Sequence, residues 1–271
     1  MNRNNVSFSA LGLTTLLLLG CSGSSESGEL AIATSSGSLE GVVAGDALAL
    51  KLTKGGDALP SGATVTWSGV PTVTALDPSS TAASPLPTPG DTPTAVFVTN
   101  PGRPDVTPEL ADQLFILDPG TKAGGELTLT ATVAGSVTGT ATVSIPVGAM
   151  PAGDATRGAT IYGTNGVQCS YCHGATAHGT DAGPGGMYTY DDGTYSYPAP
   201  GLNAESGNLG SDPTWNAALL AMASRADMDN GGLTLRLPMP TWLATPNPAT
   251  GQPLSAQDYA DIYAFLTTQT H

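Results

Sequence analysis

The apolar residues of this 271-residue chain keep a period of two from about residue 29 to 147 and then abandon it. Leu48, Leu50 and Leu52 flank Ala49 and Lys51, Val65 and Trp67 are separated by threonines, and Leu127, Leu129, Ala131 and Val133 stand between Thr128, Thr130 and Thr132. Side chains that repeat every second residue share one face of a strand, so these stretches predict half-buried strands. Val143, Ile145 and Val147 resume the alternation after the turn signal Ala134-Gly135-Ser136, which predicts a hairpin over 127–147. Strands at about 94–99 and 114–117 complete a set of about six to eight. At Pro146-Val-Gly-Ala-Met-Pro-Ala-Gly153 the pattern stops and helical spacing begins. A second domain is expected from there.

Beyond the switch three helices are expected. Asp154 caps the first, with Ala155, Gly158, Ala159 and Tyr162 on one face. Ser211-Asp212-Pro213 announces a second through Trp215, Ala218, Leu219 and Met222. Ser255 and Asp258 form a capping-box pattern for the last, Leu254 and Tyr259 staple it, and Tyr259, Ile262, Tyr263 and Leu266 line a face. The stretch Pro71 to Pro104, rich in Pro, Ser and Thr, reads as long surface loops, and Trp67 as a core anchor.

The first twenty residues run from Arg3 through the apolar stretch Leu11 to Leu19, too short to span a bilayer, to a small residue before Cys21. This is the form of an export signal. The junction Leu18-Leu19-Gly20-Cys21 resembles the bacterial lipobox, which implies cleavage before Cys21 and acylation of that residue. Acyl chains would then hold the protein on a membrane. Ser22 after the cysteine resembles sorting to the outer membrane, so the expected location is the cell envelope. Residues 22 to 28 read as a flexible tether. The segments Ala63-Thr-Val-Thr-Trp67 and Leu127 to Val133 resemble bacterial immunoglobulin-like domains over about 29–147.

The net charge is −14 and Lys and Arg form no cluster, so nucleic acid is excluded as a partner. The chain has three cysteines. One sits at the lipobox and two sit in Cys169-Ser170-Tyr171-Cys172-His173, leaving none for a structural disulfide. The pattern Cys-x-x-Cys-His reads as covalent haem attachment: two thiols on one helical turn add to the haem vinyl groups while the adjacent imidazole binds iron. A thioredoxin-like motif would need a βαβ setting, and a zinc ribbon a second Cys-x-x-Cys; neither is present.

The surroundings resemble the class I cytochrome c family over about 151–271. The carriers are Gly153 to Tyr162 ahead of the haem motif, Ala199-Pro200-Gly201-Leu202, and Leu237-Pro238-Met239-Pro240-Thr241-Trp242. The resemblance implies that Gly158 lets its helix cross the terminal one closely, meeting Tyr263 and Leu266. It implies that the Pro200 carbonyl accepts a hydrogen bond from His173, with Pro198 as the competitor, and that Met239 is the second axial ligand of the iron. Met187 and Met228 are weaker candidates, and Met222 is expected to pack on its helix. His178 is expected at the surface. The Gly/Tyr/Asp-rich stretch from Gly174 to Tyr197 is longer than a compact cytochrome needs.

Together these readings predict a multidomain chain, an all-β immunoglobulin-like sandwich (29–147) followed by an all-α cytochrome c domain (151–271), after a signal peptide (1–20) and tether (21–28). The implied cofactor is one covalent haem c with His173 and Met239 on its iron. The implied function is electron transfer to a redox partner protein. A haem subunit of a dehydrogenase, a small haem peroxidase and a surface-binding protein that works through its β-domain are the alternatives.

Overall fold

The computed structural model describes residues 28–34, 39–87, 93–102, 113–117, 125–163, 169–179, 189–191, 196–235, 247 and 250–270, with only the backbone considered at 189–191 and 196–198. The lipobox Cys21, Met187 and Met239 lie outside them.

Before residue 148 the described residues form nine strands. β1 (Leu30–Thr34) pairs with β2 (Ala47–Lys54), which also pairs with the short β3 (Asp57–Ala58) and with β7 (Gln113–Leu117). β7 pairs with β6 (Thr94–Thr99), and β6 runs parallel to β5 (Thr72–Thr74) at the edge. A second, antiparallel sheet has the order β4 (Ala63–Ser68), β8 (Gly125–Gly135), β9 (Gly139–Val147). The two sheets pack face to face, because Leu48 and Leu50 of β2, Leu114 and Ile116 of β7, Leu127 and Leu129 of β8 and Ile145 of β9 meet in one buried cluster. Trp67 packs against it, its ring 6.2 Å from that of Phe97. The short β3 and β5 lift the strand number above the expected six to eight. Within Pro71–Pro104, read from sequence as loop apart from the strand expected at about 94–99, lies the short β5, and β6 is that expected strand.

Four helices follow among the described residues. The Asp154 carboxylate caps α1 (Ala155–Tyr162) by accepting from the N–H groups of Thr156 and Arg157 at 2.8 and 3.2 Å. α2 (Cys169–His173) is a single turn. α3 (Ala217–Ala226) is capped by Asn216, whose side chain accepts from the Leu219 N–H. The expected start at Ser211-Asp212 is a 3₁₀ turn instead, Leu209–Ser211. The Asp212 carboxylate is occupied there by the N–H and hydroxyl of Thr214, so the helix begins at the next available cap. α4 (Ala256–Thr268) carries the Ser255/Asp258 capping box, with Leu254 and Tyr259 buried in one cluster.

α1 crosses α4 at Gly158, where a Cβ would overlap the Asp261 carbonyl and lie 2.9 Å from the Phe265 Cβ. Asp261 also accepts from the Asp154 N–H at 2.8 Å and is ion-paired with Arg157. The ring of Tyr162 lies 5.1 Å from that of Phe265. Phe265 therefore takes the place expected for Tyr263, whose hydroxyl turns away to donate to the Trp215 carbonyl.

The expected all-β sandwich followed by an all-α cytochrome c domain is overturned. Among the described residues strand outweighs helix, 34% against 22%. The residues after 150 include a β-hairpin, β10 (Thr189–Asp191) with β11 (Ser196–Pro198), and bridges joining Met228 to Thr234 and Leu76 to Leu233. Nor does α3 belong to a self-contained helical core. Its Met222 and Ala226, with Met228, pack against Val73, Val96, Val98, Phe115 and Leu117 on the outer face of β5, β6 and β7. The opposite face of α3, through Leu220 and Ala221, joins the cluster of α1 and α4. The physical cause is in the strands: Leu114, Phe115, Ile116 and Leu117 are all buried, so β7 is apolar on both faces and needs a second layer.

Polar contacts fix the same junction. The buried Arg225 of α3 donates to the carbonyls of Gly45, in the β1–β2 connection, and of Leu254, just ahead of α4. Its guanidinium sits 5.0 Å from the centre of the Tyr259 ring. Gly45 (φ +79°) is required there, since a Cβ would come within 3.1 Å of the Ala218 Cα. Asn100, fully buried, donates to the Asp227 carbonyl at 3.1 Å and accepts from the Thr234 hydroxyl at 3.0 Å.

Candidate functional site

The single turn of α2 places Cys169 and Cys172 three residues apart on one side and ends on His173. Both cysteines are free thiols and both are half-buried. Burial pushes the Cys169 thiol up to about 12 and raises Cys172 as well. They are neutral thiols at physiological pH, unlike the thiolates of catalytic disulfide exchange. Tyr171 between them is the one large hydrophobic side chain that stands exposed among the described residues.

His173 is buried, and its Nδ1 lies 2.8 Å from the Pro200 carbonyl oxygen. A carbonyl only accepts, so the ring proton resides on Nδ1 and the lone pair on Nε2. Burial lowers the imidazole pKa, against the opposing pull of the Pro200 carbonyl, so the ring is neutral. A neutral imidazole with Nδ1–H held by a carbonyl is the state in which histidine ligates a metal through Nε2.

The site is tied to its neighbours by backbone bonds. The Tyr162 hydroxyl of α1 donates to the Gly174 carbonyl at 3.0 Å. Downstream, Gly179 N–H donates to the His173 carbonyl at 2.9 Å, and Leu202 N–H to the Ala177 carbonyl at 2.7 Å. Gly179 has φ +78°, and a Cβ there would lie 2.6 Å from the Pro200 carbonyl carbon. Only glycine lets the two segments lie this close.

The structure thus brings together Cys169, Cys172, His173 and Pro200. Pro198, the competitor for the carbonyl role, lies at the end of β11. Met239 lies outside the described residues, as does Met187. Met222 and Met228 are fully buried in the cluster that faces the β-sheet, so neither can turn to the His173 side without dismantling that core. His178, expected at the surface, is largely covered, its side chain 10% exposed and its Nδ1 2.8 Å from Asn203 Nδ2. Sequence reasoning missed Asn203. It is fully buried and polar, and its only signal was an asparagine shortly after the Pro-Gly-Leu element.

The donor set fits a covalently held haem: two unpaired thiols a helical turn apart, and next to them a buried imidazole whose outer nitrogen is already engaged. Among the described residues no group of three or more His, Cys, Asp and Glu side chains could hold a metal ion. No helix among the described residues is long and apolar enough to cross a membrane. A shallow, open depression lined by Ala204, Ser206, Gly207, Ser211, Asp212 and Pro213 contains none of the four site residues. Comparisons with protein-family models, characterised proteins and solved structures returned no match.

Proposed function

We propose that this protein is an electron carrier whose single haem c would be held through thioether bonds to Cys169 and Cys172, with His173 as a ligand of the iron. The observation that carries the reading is the 2.8 Å contact between His173 Nδ1 and the Pro200 carbonyl, on the same turn as two free thiols. Haem held there supplies an iron that takes up and returns one electron. The residues do the rest. His173 is kept neutral and oriented by Pro200, which increases the electron donation of Nε2. Cys169 packs against the buried cluster that contains Tyr162, Tyr259, Phe265 and Leu266, so apolar side chains cover one side of the site. The neutral thiols are available for addition and are not committed to each other.

Met239 is the proposed second ligand, from the Leu-Pro-Met-Pro sequence around it. A thioether ligand beside an imidazole would favour ferrous iron and raise the potential of a carrier. Cys21 is the proposed acylated residue that holds the chain on a membrane of the bacterial envelope, where a redox partner protein would meet it.

The test is an absorption spectrum of protein made with a haem-attachment machinery, oxidised and then reduced. Sharp reduced bands of a low-spin haem and a weak far-red sulfur-to-iron band in the oxidised state are expected. Met239→Ala should abolish the far-red band and open the iron to carbon monoxide. Ready carbon monoxide binding by the unaltered reduced protein would favour a haem enzyme over a carrier. Separately, Cys21→Ser should move the protein from the membrane to the soluble fraction.

A further inference from the structure

We infer that Asn203 is the positioning residue that clamps the Pro200 carbonyl onto His173; the inference rests on the haem reading above. The Pro200-Gly201 segment runs between two jaws. On one side is Gly179, so close that a Cβ on it would lie 2.6 Å from the Pro200 carbonyl carbon and from Gly201 N. On the other is the side chain of Asn208, against which a Cβ on Gly201 would come within 2.5 to 2.7 Å. The Asn203 amide joins both jaws. Its Oδ1 accepts from Asn208 Nδ2 at 2.6 Å, and its Nδ2 lies 2.8 Å from Nδ1 of His178, the residue before Gly179, a nitrogen that also lies 3.1 Å from the Glu205 carboxylate.

The orientation of that amide is fixed by chemistry. The Glu205 backbone N–H, which can only donate, also points to Oδ1 at 3.3 Å, so the oxygen faces Asn208 and the NH₂ group faces His178. The backbone of Asn203 repeats the connection, its N–H donating to the Ala177 carbonyl and its carbonyl accepting from the Gly210 N–H, at 3.2 and 3.1 Å. A fully buried amide with both ends satisfied is a rigid pin. If the side chain is removed, both jaws lose their common side-chain partner, and the two segments are tied only by the backbone bonds of Leu202 and Asn203 to Ala177.

The consequence falls on His173. A looser acceptor exposes Nδ1–H to exchange and weakens the donation of Nε2 to the iron, which favours the reduced state. The experiment compares haem-loaded wild type with Asn203→Asp, Asn203→Ala and Asn208→Ala. Covalent loading is read by intact mass, the potential by spectroelectrochemistry, and the exchange of the His173 Nδ1 proton by NMR of the reduced protein. Asn203→Asp keeps the acceptor but loses the donor to His178.

With haem attached in every protein, the Nδ1 proton should exchange about fivefold faster or more in Asn203→Ala, as expected for one lost hydrogen bond. The potential should rise. Asn203→Asp and Asn208→Ala should move both readings the same way by less. Loaded variants with unchanged exchange and potential would overturn the positioning role while leaving the haem reading intact. Loss of haem from all three variants would mean that the network serves folding and not the histidine, which also overturns it. A wild-type chain that takes up no haem would instead overturn the function on which the inference rests.

Discussion

The two sheets of the sandwich meet their outer surroundings differently. On the sheet β4-β8-β9 the strands alternate: Leu127, Leu129, Ala131 and Val133 are buried, while Thr128 and Thr132 face solvent and the Thr130 hydroxyl bonds across to Thr142 at 3.1 Å. On the sheet containing β6 and β7 the alternation is lost, because Val96, Val98, Phe115 and Leu117 on its far side are covered by α3. Among the described residues one sheet has an exposed outer face and the other carries α3. The core of α1 and α4 and the sandwich are therefore joined through a helix that contributes to both, and damage at α3 should be felt in each.

The largest effect should come from cutting the chain at residue 150. This would uncover the whole Val73, Val96, Val98, Phe115 and Leu117 face, and the fragment should aggregate or associate in light scattering; a stable monomer with cooperative unfolding would break the comparison. Next comes Gly158→Val, which forces α1 off α4 at a backbone contact. A loss of more than about 3 kcal/mol is expected, beyond the usual range of core overpacking, measured by denaturant unfolding. Met222→Ala should cost about 2–5 kcal/mol as a buried cavity. It should lower the unfolding midpoint of the sandwich and of the helices α1 and α4 together, and two separate transitions would show that the halves are independent. Arg225→Met should cost about 1–3 kcal/mol by leaving the Gly45 and Leu254 carbonyls without their donor.

The smallest effect concerns Asp46, which accepts from the Val43 N–H at 2.9 Å. Burial raises its carboxyl pKa, against the Val43 hydrogen bond and the Arg225 charge. A folded pKa above the unfolded one means that stability is full below the unfolded value and is lost as pH rises through the folded value. Asp46→Asn should keep the acceptor, remove that loss and be neutral or slightly stabilising at pH 7. A clear destabilisation at pH 7 would show that the charge itself is needed beside Arg225.

What could be read from the sequence was what is local. The Asp154 cap, the Ser255/Asp258 box and the hairpin expected over 127–147 depend on residues a few positions apart, and so does the turn over Cys169–His173. What escaped depends on distant partners. The docking of α3 on β6 and β7 had one trace, the unbroken run Leu114-Phe-Ile-Leu117, which signals a strand buried on both faces but does not say by what. The start of α3 escaped because Asp212 serves a turn with Thr214 as readily as a cap. Asn203 had no period to betray it: its partners His178 and Asn208 are 25 and 5 residues away, and a buried amide in a loop looks like any surface asparagine.

The most direct measurement is the intact mass of the protein after acid-acetone extraction, for wild type, Cys169→Ala, Cys172→Ala and the double variant, all made with a haem-attachment machinery. The wild type should keep one haem on the polypeptide, each single variant should keep it through one thioether or in reduced yield, and the double variant should lose it entirely to the solvent. A wild-type polypeptide that leaves the extraction without haem would contradict the reading.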